Sequence, residues 1–322
     1  MVSIEEELNT GILFVAIGVA FIGSYTAASL SELFRVNCKH QFSTAKLYTY
    51  LLAIAIVIAC VSSWCVLLVG MNSLVLKFDG RVVSVRYDIG VLLIALICGV
   101  LMTFMGLFVA TMDKLYLKER NEIVTTLMKT CASMTIGRLQ NKWVLWQVIM
   151  LHNTKHIVMG GLLTGAGTCV VHYLLMTARI GPFSVSYNYG VIVGSVVVSC
   201  LSSVLAFWVL FRLLALHPHK EDYRLASAVI MTISSCGMHY TGMSSASYTF
   251  SASSSSRHVT GATMSSSSAV IGAVAGGILL SWIIVMSIFS SMRDWHYKLT
   301  SSLRASKKTV ESMIRDEDFL LK

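Results

Sequence analysis

Apolar residues in this chain come in runs of 20 or more, broken by short polar stretches, rather than in the stripes or alternations of a soluble fold. At about 20 apolar residues per bilayer crossing, the pattern predicts seven membrane-spanning helices. They fall at approximately 11–33, 48–71, 88–111, 156–178, 188–214, 224–247 and 267–291. The cores of these runs hold no Asp, Glu, Lys or Arg. The nearest charges, such as Glu32, Asp88, Asp113 and Arg212, lie at the ends. Composition agrees: 55% of residues are hydrophobic and 13% charged, against about 25% charged in an average soluble domain. The fold class expected is an all-α membrane protein in contact with the lipid bilayer.

The helices group as three two-helix repeats plus one extra helix. The second helix of each pair ends in a related octet. Cys169-Val170-Val171-His172-Tyr173-Leu174-Leu175-Met176 aligns without a gap on Cys236-Gly237-Met238-His239-Tyr240-Thr241-Gly242-Met243. In both, Cys, His and Met stand at i, i+3 and i+7, one face of a helix. The first pair offers Trp64-Cys65-Val66-Leu67-Leu68-Val69-Gly70-Met71, which keeps the Met but has Leu67 in place of the histidine. The first helices of the pairs share small residues one turn apart, Ser24/Ala27, Thr103/Gly106 and Ser203/Ala206. Such pairs let helices approach closely. His172 lies 16 residues beyond His156, and His239 lies 16 beyond Tyr223. At about 1.5 Å per residue both sit roughly 24 Å up their helices, at matched depth in the outer half of the membrane.

The net charge of +9 is a topology signal rather than a nucleic-acid one. The loops after helices 1, 3 and 5 and the C-terminal tail hold 20 of the 25 Lys and Arg. The positive-inside rule makes that side cytoplasmic, with the N-terminus outside and the C-terminus in the cytoplasm of a cell, at its plasma membrane. Residues 1–250 are expected to form a six-helix domain with a cytoplasmic insertion at about 114–155. Within the insertion, Leu115–Met134 suggests an amphipathic helix and Lys142–Leu151, with Trp143 and Trp146, an interfacial segment. Residues 251–291 comprise the end of a Ser-rich outer loop and the seventh helix, and 292–322 a cytoplasmic helical tail. The Ser-rich stretch 244–268 is expected to be flexible. Eight cysteines without a C-x-x-C pair give neither a disulfide framework nor a zinc ribbon.

The triple repeat, the string Met238-His239-Tyr240-Thr241-Gly242-Met243 and the seven-helix layout resemble the MHYT-domain family of integral membrane sensor proteins. The second motif is partial, and a glycine-rich lead-in, Met159 to Gly167, precedes it. Leu151-His152-Asn153-Thr154 resembles the motif only superficially and is out of register with the repeat. The resemblance implies a sensory and signalling protein that binds copper near the outer face and senses a diatomic gas (oxygen, carbon monoxide or nitric oxide). It also implies a cytoplasmic signalling partner.

The residues suit that chemistry, because imidazole suits copper and sulfur ligands select Cu(I). The candidate metal ligands are His172, His239, Met176, Met243, Met238 and Met71, with Cys169 and Cys236 the weaker candidates. Tyr173 and Tyr240 are candidates for hydrogen bonds to the ligands, or for aromatic anchors at the interface. Packing is the competing reading of the methionines, and a helix–helix hydrogen bond that of the histidines. A small-solute or metal-ion transporter is the alternative function, although helices without acids or bases lack the usual mark of an ion pathway. No Walker sequence, Ser/His/Asp set or paired carboxylates is present, so an enzyme is not expected.

Overall fold

The computed structural model describes residues 4–39, 44–113, 151, 153–214, 221–251, 262–287, 289–290 and 293. The insertion's amphipathic and interfacial segments, His152 and nearly all of the expected tail helix lie outside these residues. Seven helices carry the fold: α1 (Thr10–Lys39), α2 (Ala45–Met71), α3 (Ile89–Thr111), α4 (Lys155–Thr177), α5 (Tyr189–Leu213), α6 (Glu221–Met243) and α7 (Ser266–Ser287). All but α6 are long and apolar enough to cross a membrane. The 23 residues of α6 are long enough, but they include Glu221, Asp222, Arg224, His239 and several Ser, Thr and Gly. The chain is an integral membrane protein. Many apolar residues face outward, as with Leu93, Ile97 and Leu101 on α3 and Val193, Val197 and Leu201 on α5, while Ser24, Ser195, Ser199 and Ser227 are buried.

Each of α1 to α6 packs on its sequence neighbours, and α6 returns to α1, which closes a ring of six. The even helices α2, α4 and α6 also touch one another across the middle. The motif-bearing helices are therefore the inner ones. Glycines set the spacing. A Cβ on Gly160 would lie 2.9 Å from Ala110 on α3, and one on Gly165 would lie 2.9 Å from the Cys200 backbone on α5. The glycine-rich lead-in is thus a two-sided packing surface of α4. The small-residue pairs of α1, α3 and α5 are buried as expected. α2 is π-helical over Val57–Cys65, and the side chains of Val61 and Cys65 meet Gly277 of α7. The chain divides after Ser281 into two compact units. The described residues of the second, from Trp282 onward, are helical.

Among the described residues eight short strands gather at one end of the six-helix ring, and the hydropathy pattern does not predict them. β1 (Glu5–Leu8) pairs antiparallel with β2 (Leu74–Phe78), from Glu5↔Lys77 to Leu8↔Leu74, and β2 also pairs with β3 (Arg81–Val82). β4 (Arg86–Asp88) lies between β5 (Arg179–Ile180) and β8 (Thr263–Ser265). β6 (Phe183–Tyr187) pairs with β7 (Ala246–Phe250) over five residues. The Ser-rich stretch 244–268 therefore departs from the flexible expectation over its described residues. β7 and β8 exchange backbone hydrogen bonds with neighbouring strands, and serine does not prevent that pairing.

The strand-bearing end also shows the repeat in the odd helices. Asn9, Asp88 and Asn188 cap α1, α3 and α5, each through a side-chain oxygen that accepts from backbone N–H groups of the first turn. Such caps contribute about 1 kcal/mol each. At the opposite end charges are paired. Arg212 on α5 meets Asp113 after α3 at 2.7 Å, with both side chains buried. Arg224 on α6 meets Glu32 on α1 as well as Glu221 of its own helix.

Candidate metal centre

The two octet histidines meet. His172 on α4 and His239 on α6 are both fully buried. Their Nδ1 atoms are 3.3 Å apart, their ring centroids 5.1 Å apart, and their planes nearly perpendicular at 85°. Matched depth on neighbouring inner helices brings this about, because the aligned octets place both rings at one level on the faces turned toward the ring centre.

Glycines make room for the imidazoles. A Cβ on Gly242 would overlap Nε2 of His172 and lie 2.8 Å from its Cδ2. A Cβ on Gly70 would overlap Nε2 of His239 and lie 2.7 Å from its Cδ2. Both glycines occupy the seventh position of their octets. The fit is cyclic: the histidine of the second repeat sits on the glycine of the third, and the histidine of the third sits on the glycine of the first. The remaining step of the same alignment pairs Leu67 with Leu175, each fully buried in one apolar cluster. Where the first repeat lacks its histidine, the second lacks its glycine, and each has a leucine instead. The three aligned octets contain this signal, but a search for metal ligands passes over glycine and leucine.

Each Nε2 faces the backbone of its glycine, and neither completes a hydrogen bond to it. The other expected donors surround the pair less directly. Met71, Met176, Met238 and Met243 are all buried in one apolar cluster, together with Leu67, Leu175 and Val171. Cys169 is buried beside Ser199 and Cys200 of α5. Cys236 is half-buried and neighbours Tyr240 one turn along. The tyrosine rings stand edge-on to their preceding histidines, Tyr173 at 5.0 Å and Tyr240 at 4.8 Å. The Tyr173 hydroxyl pairs with Ser195 on α5 at 2.7 Å, so it serves the helix contact rather than the imidazoles. Among the described residues no group of three or more His, Cys, Asp or Glu is placed to hold a metal ion.

A buried arginine overlies this site from the strand-bearing end. Arg179 of β5 donates from Nη1 to the Tyr248 hydroxyl at 2.8 Å, and its guanidinium lies 5.3 Å from the centroid of that ring. It is close enough to act electrostatically on His239. Burial pushes the Tyr248 and Tyr87 phenols up from their ordinary range, against the opposing charge of Arg179.

Residues 165–218 match the profile of a family described as "MHYT: Bacterial signalling protein N terminal repeat". That stretch is similar to an MHYT repeat. The matched stretch runs from the second octet through α5, so this MHYT repeat is counted from one inner helix into the next outer one. The complete string at Met238–Met243 lies beyond it. A stretch of 120 residues is 28% identical to the bifunctional diguanylate cyclase/cyclic di-GMP phosphodiesterase MucR of Pseudomonas aeruginosa. That match covers 37% of this chain and 18% of the relative. No solved structure matches the chain.

Proposed function

We propose that this MHYT-repeat protein is a sensory and signalling protein of the membrane, and that His172 and His239 bind copper near its outer face to sense a diatomic gas. The observation that carries the reading is the pair of buried imidazoles from separate helices with facing Nδ1 atoms at 3.3 Å. A metal-bound histidine ordinarily turns its other ring N–H to a carboxylate, carbonyl or water. Here each Nε2 is turned to a glycine backbone. In the tautomer with both protons on Nε2, two Nδ1 lone pairs oppose each other, and a cation between them would relieve that repulsion. The separation is short enough for one ion to touch both nitrogens at metal–nitrogen lengths of about 2 Å.

Two imidazoles within an apolar cluster rich in thioethers form a donor set suited to Cu(I). Met71, Met176, Met238 and Met243 are the sulfur candidates, whereas Cys169 is turned to α5. Bound copper would supply a soft site for a diatomic ligand. The protein's own residues orient and enclose it: the glycine sockets fix both rings, Tyr173 and Tyr240 flank them, and Leu67 with Leu175 closes the third position. A shift of α4 against α6 would then pass along the inner helices to the cytoplasmic loops and a signalling partner there. No step of this reading needs catalysis by the chain.

The test is copper content by elemental analysis after anaerobic purification. His239→Ala is expected to abolish bound copper without loss of membrane insertion, and His152→Ala, out of register with the repeat, to change it little. Copper retained at the wild-type ratio in His239→Ala overturns the assignment.

A further inference from the structure

One turn below the imidazole level, the inner helices present a second set of aligned side chains. Ser63, Thr168 and Ser235 each precede their octet by one position, four residues before Leu67, His172 and His239. All three repeats have a hydroxyl there, including the one without a histidine and the one without a glycine. The three residues line a common cavity of about 30 Å³, together with Ser199, Ser203 and Met231 among others. No lining residue is charged. The wall from α2 comes from its π-helical stretch, which holds Ser63, and such wide turns are frequent at functional sites.

A cavity holds water when each molecule has about 10–15 Å³ of probe-occupied volume and two to four polar partners. This one has the space for about two. It also holds hydroxyls that lack a partner: those of Ser63 and Thr164 are buried and make no hydrogen bond within the protein. Leaving a buried hydroxyl unsatisfied costs about 1–3 kcal/mol. An ion is disfavoured, because a charge at this depth would have no countercharge among the lining residues. An apolar cavity of this size stays dry; here eight of the twelve lining residues are serine or threonine, although carbon makes up most of the lining surface.

From this we infer that the ring of Ser63, Thr168 and Ser235 is a binding site for water inside the bundle, shared by all three repeats and distinct from the imidazole pair above it. The bound water completes the hydrogen bonding of α2, α4 and α6 at their mutual contact. It also gives these helices an interface whose bonds re-form after a small displacement. The inference stands whether or not the histidines hold a metal.

Met231 lines the cavity, and Met238 is fully buried seven residues along the same helix in the apolar cluster. Brief X-ray radiolysis of the full chain in phosphatidylcholine nanodiscs, read by mass spectrometry, oxidises side chains beside bound water. Met231 is expected to be oxidised several-fold faster than Met238. Ser203→Leu, which fills the cavity, and Thr168→Val, which keeps volume but removes a hydroxyl, are each expected to slow Met231 toward the Met238 rate. Equal rates for the two methionines in the unaltered protein overturn the inference. So does a Met231 rate that neither substitution changes.

Discussion

Replacing Gly70 by alanine tests the socket of His239 directly. The added Cβ would lie 2.7 Å from Cδ2 of the imidazole and closer still to Nε2, where carbon contacts prefer about 3.5–4.0 Å. The ring must retreat by about 1 Å, and on its far side Nδ1 of His172 is only 3.3 Å from its own Nδ1. Overpacking of this kind costs about 1–3 kcal/mol. Against it stands the helix-forming advantage of alanine over glycine, at most about 1 kcal/mol. Gly70→Ala is therefore expected to destabilise the protein by about 0–3 kcal/mol. In a His239→Ala background the clash is gone, so the same substitution should stabilise by up to about 1 kcal/mol. The coupling between the two sites is then about 1–3 kcal/mol. Chemical unfolding in detergent, followed by circular dichroism on the four proteins of the cycle, measures it. Equal effects of Gly70→Ala in both backgrounds would refute the socket.

Three further outcomes are expected. Leu67→His and Leu175→Gly should each destabilise, while the double variant should lie about 0.5–3 kcal/mol above their sum in the same unfolding assay; strict additivity counts against the cyclic arrangement. Asp113→Asn removes the buried carboxylate that Arg212 meets and should cost about 3–5 kcal/mol, seen as a lower unfolding midpoint; a change within error would mean that solvent reaches the pair. Burial raises the Tyr87 phenol above its ordinary value, so the folded state keeps it neutral while the unfolded chain ionises near pH 10. Stability from this group is intact below about pH 10 and falls as pH rises above it, and Tyr87→Phe should flatten that fall in unfolding scans at alkaline pH.

Much of this architecture was legible in the sequence because a membrane imposes a simple rule: long apolar runs become helices. The run lengths placed the helices, six of which are long and apolar enough to cross a membrane, and the 16-residue offsets of His172 and His239 placed two imidazoles at one level. Only α6 departs from the simple pattern, since its polar motif residues lower its apolarity while they face inward. The strands were not legible, because segments such as Glu5–Leu8 and Ala246–Phe250 take their structure from pairing partners far along the chain. The caps at Asn9, Asp88 and Asn188 were legible in principle, as an Asn or Asp two residues before glycine in each repeat. The glycine sockets were missed for a different reason. A glycine acts there through the side chain it lacks, and only a neighbour's ring reveals the role.

The lacing of strands at one end has a mechanical consequence. β6 and β7 tie the loops that follow α4 and α6, so the two histidine-bearing helices are pinned together just past their motifs. His172 stands five residues from the pinned end of α4 and 17 from its start at Lys155. With a fulcrum at the laced end, those 17 further residues of shaft multiply any sideways nudge at the imidazole about fourfold by the time it reaches the opposite tip, at about 1.5 Å of rise per residue. A nudge smaller than a bond length would become a swing wide enough for another protein to feel.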